Sequence, residues 1–205
     1  MPPCNPWGDT MNQRILILQG HPDASEAHLC HALADHYRNG ALAYGHEVRV
    51  IEIATLEFPV LRSQKEWKNT PVPASLTAVQ KDIAWCQHLV LVFPLWLGDM
   101  PALVKAFLEQ VLRPGFAFEY VEGNPLGRKG LTGRSARVVV TMGMPAMIYR
   151  HLYRAHSVKS LERNILGFVG LAPVRETLIG SVEAMSEQKR NEWLRKLHEL
   201  GTRAQ

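Results

Sequence analysis

"RILILQGHPDASEAH", residues 14–28, decides the fold. Its first six residues hold four consecutive aliphatic side chains, Ile15 to Leu18, between polar ends. That is the pattern of a short strand buried on both faces. Gly20 and Pro22 then break the run. Asp23 and Glu26 stand three apart just before an apolar period, the spacing of a capping box, in which each side chain satisfies a free N–H of the helix start. A strand feeding directly into a helix is the opening unit of an alternating α/β sheet. The free N–H groups at such a helix start favour an anion, and His21 adds a side-chain donor. The loop carries neither G-x-x-x-x-G-K-[ST] nor G-x-G-x-x-G, which argues against nucleoside triphosphate hydrolysis and against a Rossmann dinucleotide site.

The rest of the chain repeats the alternation. Residues 25–44 read as the first helix, closed by Gly45. "EVRVIEI" (47–53) reads as a strand, followed by an irregular loop over 54–73 with three prolines. Leu76, Val79, Ile83 and Cys86 recur at helical spacing. "HLVLVF" (88–93) is a continuous apolar run of the kind found in parallel sheets. Asp99 reads as an N-cap with Pro101 in the first turn, and the helix runs to Pro114 and Gly115. Residues 115–134 read as a glycine-rich connection. "ARVVVTM" (136–142) is the fourth strand, 157–169 a helix closed by Gly170, and "VRETLIG" (174–180) the fifth strand. Ser186 caps a last helix that carries Trp193, Leu194, Leu197 and Leu200. Residues 1–13 read as a flexible tail and 14–205 as one domain. Five strands and five helices with right-handed crossovers lead to the flavodoxin-like open sheet of five parallel strands, order 2-1-3-4-5, with helices on both faces.

Bulk properties exclude several classes. The 205 residues carry 23 Lys+Arg against 19 Asp+Glu, a net charge of +4 and a pI of 9.1. The cations are scattered and not interleaved with aromatics, which argues against nucleic acid. No apolar run approaches membrane length, and the N-terminus lacks the pattern of a secretory signal. The three cysteines (Cys4, Cys30, Cys86) show no pair spacing and read as reduced thiols of a cytoplasmic protein.

In an open parallel sheet the ligand sits outside the carboxyl ends of the strands, at the switch point. Unusual residues should therefore follow strands 1, 3 and 4. They are "GHPDASEAH" (20–28), "PLWLGDMP" (94–101) and "TMGMPAMIYRH" (141–151). Pro94 and Pro101 fix the second loop, whose Leu95, Trp96, Leu97 and Gly98 suit a flat heteroaromatic ring. Thr141, Met142, Gly143 and Met144 open the third. Tyr149 and His156 are seven residues apart, about two helical turns, which would place them on one side of a helix. Both residue types donate protons and stabilise charge. No metal-ligand spacing stands out.

"ILILQGHPD", "LVFPLWLGDMPALVKAFLEQV", "PGFAF" and "VVVTMGMPAMIY" together resemble the NAD(P)H:quinone oxidoreductase family, the flavodoxin-like group that includes DT-diaphorase, over most of residues 14–182. The resemblance implies a flavin, FAD with FMN as the alternative, in a homodimer. It also implies NAD(P)H as co-substrate and a quinone-like small molecule as electron acceptor. His21 matches the family's histidine near the flavin phosphates. Glu26, Ala27 and His28 fall where the family has its phosphate-binding Ser-Phe-Asn. Leu95 to Gly98 match the loop along the flavin ring, and Thr141 and Gly143 match the residues at its other edge. Tyr149 and His156 match the pair that stabilises charge on the reduced ring. Trp96, Met144 and Met147 would line the acceptor site. Where some members carry a carboxylate at the adenine end, this chain has Gly115.

The implied activity is hydride transfer from NAD(P)H to the acceptor by a ping-pong mechanism. The alternative is a flavin-binding ancillary subunit of a potassium efflux system. A receiver-type signalling domain shares the fold but needs paired acids after strand 1, where Gln19-Gly20-His21 stand, and an aspartate after strand 3, where Phe93-Pro94 stand.

Overall fold

A computed structural model describes residues 12–205; residues 1–11, with Cys4 and nearly all of the expected tail, lie outside the described residues. Gln13 is already tied into the fold, its N–H donating to His46 Nδ1 at 3.0 Å. Five parallel strands form the sheet: β1 (Arg14–Gln19), β2 (Glu47–Glu52), β3 (His88–Pro94), β6 (Ser135–Thr141) and β7 (Val174–Ile179), in the order β2-β1-β3-β6-β7. This is the expected 2-1-3-4-5 order of the main strands. The apolar runs are continuous because both faces are covered. Leu16, Leu18, Leu91, Phe93, Val138 and Val140 face one core, with α3 (Ala74–Trp85) and α4 (Ala102–Val111). Ile15, Ile17, Val90, Val92 and Val139 face the other, against α1 (Leu29–Ala43) and α8 (Glu187–Thr202). The two-residue period of a strand separates the sets.

The α1–α8 contact is a backbone contact. A Cβ on Gly40 would lie 2.0 Å from the His198 carbonyl oxygen, and one on Gly201 would lie 2.1 Å from that of Tyr37. Neither backbone can yield without separating the helices. Gly40→Ala is therefore expected to cost about 3 kcal/mol, the upper range for overpacking. An unchanged urea midpoint would show that the helices slide apart freely.

Three connections differ from expectation. The loop over 54–73 contains a short helix, α2 (Gln64–Asn69), capped by Ser63 Oγ, which accepts from Glu66 N–H at 3.1 Å. The connection 115–134 contains an antiparallel hairpin, β4 (Phe118–Val121) and β5 (Asn124–Lys129). Its register shifts between Glu119 and Val121, so no clean alternation marked it. The helix expected over 157–169 begins at His156 as α6 (His156–Ser160). It runs through a π-helical turn (Leu161–Leu166) into α7 (Gly167–Val169), and Gly170 closes it with φ 112°.

Candidate functional site

Gln19 pairs with Val92, Pro94 with Thr141, and Thr141 with Ile179. β3, β6 and β7 thus end level and β1 two residues earlier, and their loops emerge along one edge. The Gly20 N–H donates to Val92 O at 2.7 Å, and a Cβ there would meet Val104 Cγ2 at 2.9 Å. Close approach, not a positive φ, is what requires this glycine.

The first loop folds differently from its expected capping box. Asp23 Oδ1 accepts from the N–H of Ser25 at 2.8 Å and from its hydroxyl at 2.6 Å. This local turn competes with helix, so α1 starts at Leu29 rather than 25. His28 is the N-cap, and its N–H donates to Nδ1 of His31 at 3.2 Å. Because that nitrogen accepts, His31 Nε2 carries the proton and donates to Glu52 Oε1 at 3.2 Å. Glu26 is exposed and takes no part in the cap.

Three imidazoles gather here. His21 stacks on His28 with ring centroids 3.7 Å apart, and His31 lies 5.5 Å from His21. His28 Nε2 faces Asp23 Oδ2 at 3.2 Å. The bonds from Ser25, and then His28, pull the Asp23 carboxyl down to about 2. His21 is only 8% exposed; its Nδ1 lies 3.2 Å from the Asp23 backbone N and O, while its Nε2 has no partner among the described residues. Burial, then the neighbouring His28 and His31, hold its pKa below the ordinary histidine value. Asp23, Glu26 and His28 also bring one ligand atom each within 4.8 Å of one another, a grouping that exposed acids often make without an ion.

The second loop is a tight turn. Trp96 and Asp99 exchange backbone hydrogen bonds at 2.8 and 3.0 Å. Between them Leu97 and Gly98 have φ of 47° and 79°. Two positive φ values make a hairpin turn of the primed kind, at which leucine is strained. Leu97 is fully exposed and Trp96 half-exposed. Asp99 is committed to this turn, so Pro101, not Asp99, is the N-cap of α4. The Trp96 ring meets His21 edge-on at 6.1 Å, which joins the first two loops.

The third loop leaves Thr141, whose carbonyl accepts from Leu95 N–H at 2.7 Å. The Thr141 hydroxyl contacts Cys30 Sγ at 3.2 Å. Burial pushes the thiols of Cys30 and Cys86 up to about 11, so neither is a ready nucleophile. The N–H groups of Leu97, Gly98, Gly143 and Met144 have no partner among the described residues. Gly143 is exposed, with Glu183 Oε1 3.4 Å from the place of a Cβ. Glu183 comes from the loop after β7 (Val174–Ile179), outside the three loops expected to form the site.

Tyr149 and His156 do not share a helix. α5 (Ala146–His151) stops, and Arg154 and Ala155 turn the chain with φ of 52° and 49°. Tyr149 is buried; its hydroxyl contacts Ser157 Oγ at 2.5 Å and accepts from Val158 N–H at 3.4 Å. His156 is exposed, and its N–H donates to Tyr153 O at 3.2 Å. Neither glycine nor proline marks this break, so the seven-residue spacing read as one helix face.

The residues present fit a flavin. Unpaired N–H groups on two loops suit the acceptor-rich edge of a flat ring, and the free Nε2 of His21 suits a phosphate. Residues 13–200 match the family of the flavodoxin-like fold. The chain belongs to that family. It is 23% identical over 179 residues to an uncharacterized NAD(P)H oxidoreductase of Haemophilus influenzae, covering 85% of this chain and 87% of that one. It is 28% identical over 190 residues to an FMN-dependent NADH:quinone oxidoreductase of Cereibacter sphaeroides, covering 86% and 84%. Among solved structures, an NAD(P)H:quinone oxidoreductase from Methanothermobacter marburgensis superposes with a TM-score of 0.79 at 20% identity, covering 94% of this chain and 96% of that one.

Proposed function

We propose that this protein is a flavin-dependent oxidoreductase that takes hydride from NAD(P)H and passes it to a quinone or similar flat acceptor. The observation that carries this reading is the meeting of three loops at one sheet edge, with a free imidazole donor on one and unpaired backbone N–H groups on the other two. The relatives' names agree with it, and FMN is the flavin that the Cereibacter relative's name contains. We take FMN as the cofactor, since Gly115 offers no side chain for an adenine end. A flavin bound there would accept hydride from one partner and return it to the next.

The chain's own residues do the rest. His21 and His28 hold the phosphate. The N–H groups of Leu97, Gly98, Gly143 and Met144 hold the ring edges and offset negative charge as it builds. Trp96, Met144 and Met147 give the flat acceptor an apolar surface. His156 reaches the charged edge, while Tyr149, bonded to Ser157, is a positioning residue that fixes the turn carrying His156. His156→Gln and Tyr149→Phe are each expected to slow NAD(P)H reduction of the bound flavin about tenfold, the worth of one charge-assisted hydrogen bond. Stopped-flow absorbance checks this, with flavin affinity measured alongside. Unchanged rates, or a loss of affinity that accounts for the whole effect, would refute these roles.

The reading includes a cytoplasmic homodimer. Cys30 and Cys86 are free buried thiols, which suits a reducing compartment. Met147, Leu152 and Tyr153 are exposed on and just after α5 and would be covered by a second copy. No helix among the described residues is long and apolar enough to cross a membrane. Light scattering on the purified protein is expected to give the mass of a dimer, and a monomer would contradict that part.

A further inference from the structure

Beside His156 lies an open recess of about 390 Å³, lined by Arg154, His156, Lys159, Ser160, Arg163 and Asn164. No carboxylate lines it, and Arg154, Lys159 and Arg163 make no ion pair among the described residues. Their charge is therefore not neutralised by a carboxylate within the recess. The recess is also built for an acceptor. The Asn164 side-chain amide donates to Ser160 Oγ at 3.1 Å, which leaves the Ser160 hydroxyl proton free to donate outward. Arg154 enters through a left-handed backbone conformation that leucine-like or arginine side chains rarely adopt, and the π-helical turn begins directly after Ser160.

We infer that this recess binds the 2′-phosphate of NADPH and makes NADPH the preferred reductant. The inference rests on the function proposed above. His156, which that reading places at the charged edge of the ring, also lines the recess, so the recess borders the proposed site. A phosphate monoester carries about two negative charges at neutral pH. Each phosphate of the diphosphate bridge carries one. Three permanent cations around one recess match the monoester, and the two guanidinium groups can each give a bidentate bond to it.

Calorimetric titration of 2′-phospho-ADP-ribose and of ADP-ribose into the purified protein, with and without added FMN, tests this. The wild type is expected to bind the phosphorylated ligand at least about tenfold more tightly at low salt. Lys159→Gln/Arg163→Gln is expected to lose that preference, and to raise KM for NADPH about tenfold with kcat and the NADH values unchanged. Arg163→Gln alone is carried alongside, in case the double variant does not fold, and is expected to lose part of the preference. Equal binding of the two ligands, or a preference that survives the substitutions, would overturn the inference. A protein that takes up no flavin would instead sink the function reading, while the titration without flavin still decides what the recess binds.

Discussion

Acidification from pH 6.5 to about pH 4 is expected to cost the fold about 3 kcal/mol through His88 alone. His88 opens β3 and is 1% exposed. Its Nδ1 lies 2.7 Å from Ser135 Oγ, and its Nε2 is buried without a partner. Burial, then the positive charge of Arg137 and Arg175, pushes its pKa down to about 3. Between that value and the ordinary 6.5, the unfolded chain binds a proton that the folded chain does not. Stability is therefore complete above pH 6.5 and lost as the pH falls through this window, by about 1.4 kcal/mol per pH unit. His21 and His46, also lowered first by burial, act in the same direction. Urea unfolding of the wild type and of His88→Leu across this range provides the check. The variant should lose about one proton's worth of slope; equal slopes would mean that His88 is protonated in the folded state.

The second large effect concerns the phosphate. Replacing His21 and His28 with alanine is expected to weaken FMN binding about a hundredfold, since two charge-assisted hydrogen bonds are worth about 3 kcal/mol together. Riboflavin, which lacks the phosphate, should bind both proteins alike. The sign of the pH effect follows from the same rings. An anion raises the pKa that burial, His28 and His31 depress in His21, so FMN binding takes up protons. Affinity should fall as the pH rises from the lowered pKa of His21 in the free protein, below the ordinary histidine value, through its raised pKa in the complex, for FMN and not for riboflavin. Fluorescence quenching of each flavin across pH reads this directly, and parallel curves for the two ligands would remove the imidazoles from the phosphate site.

Most of the fold was legible because the three central strands carry apolar runs, Ile15–Leu18, Leu89–Phe93 and Val138–Val140, and only a sheet covered on both faces supports such runs. The strand ends then placed three of the loops without further information. Local competition was not legible. Asp23 had the spacing of a cap but spends its oxygens on Ser25, and His28 with His31 takes the cap instead. The break at Arg154 and Ala155 uses left-handed residues that are not glycine, so it left no mark, and Tyr149 reads as a partner of His156 when its actual partner is Ser157. Glu183 was missed because its loop follows the last strand, away from the switch point, and carries no unusual residue type.

The central claim is that the three loops hold a flavin that NAD(P)H can reduce. Purified protein mixed with excess FMN and freed of unbound ligand should retain one flavin per chain, and its visible absorbance should bleach when NADPH is added without oxygen. A protein that emerges colourless, or whose bound flavin keeps its absorbance in the presence of both NADH and NADPH, would contradict the account.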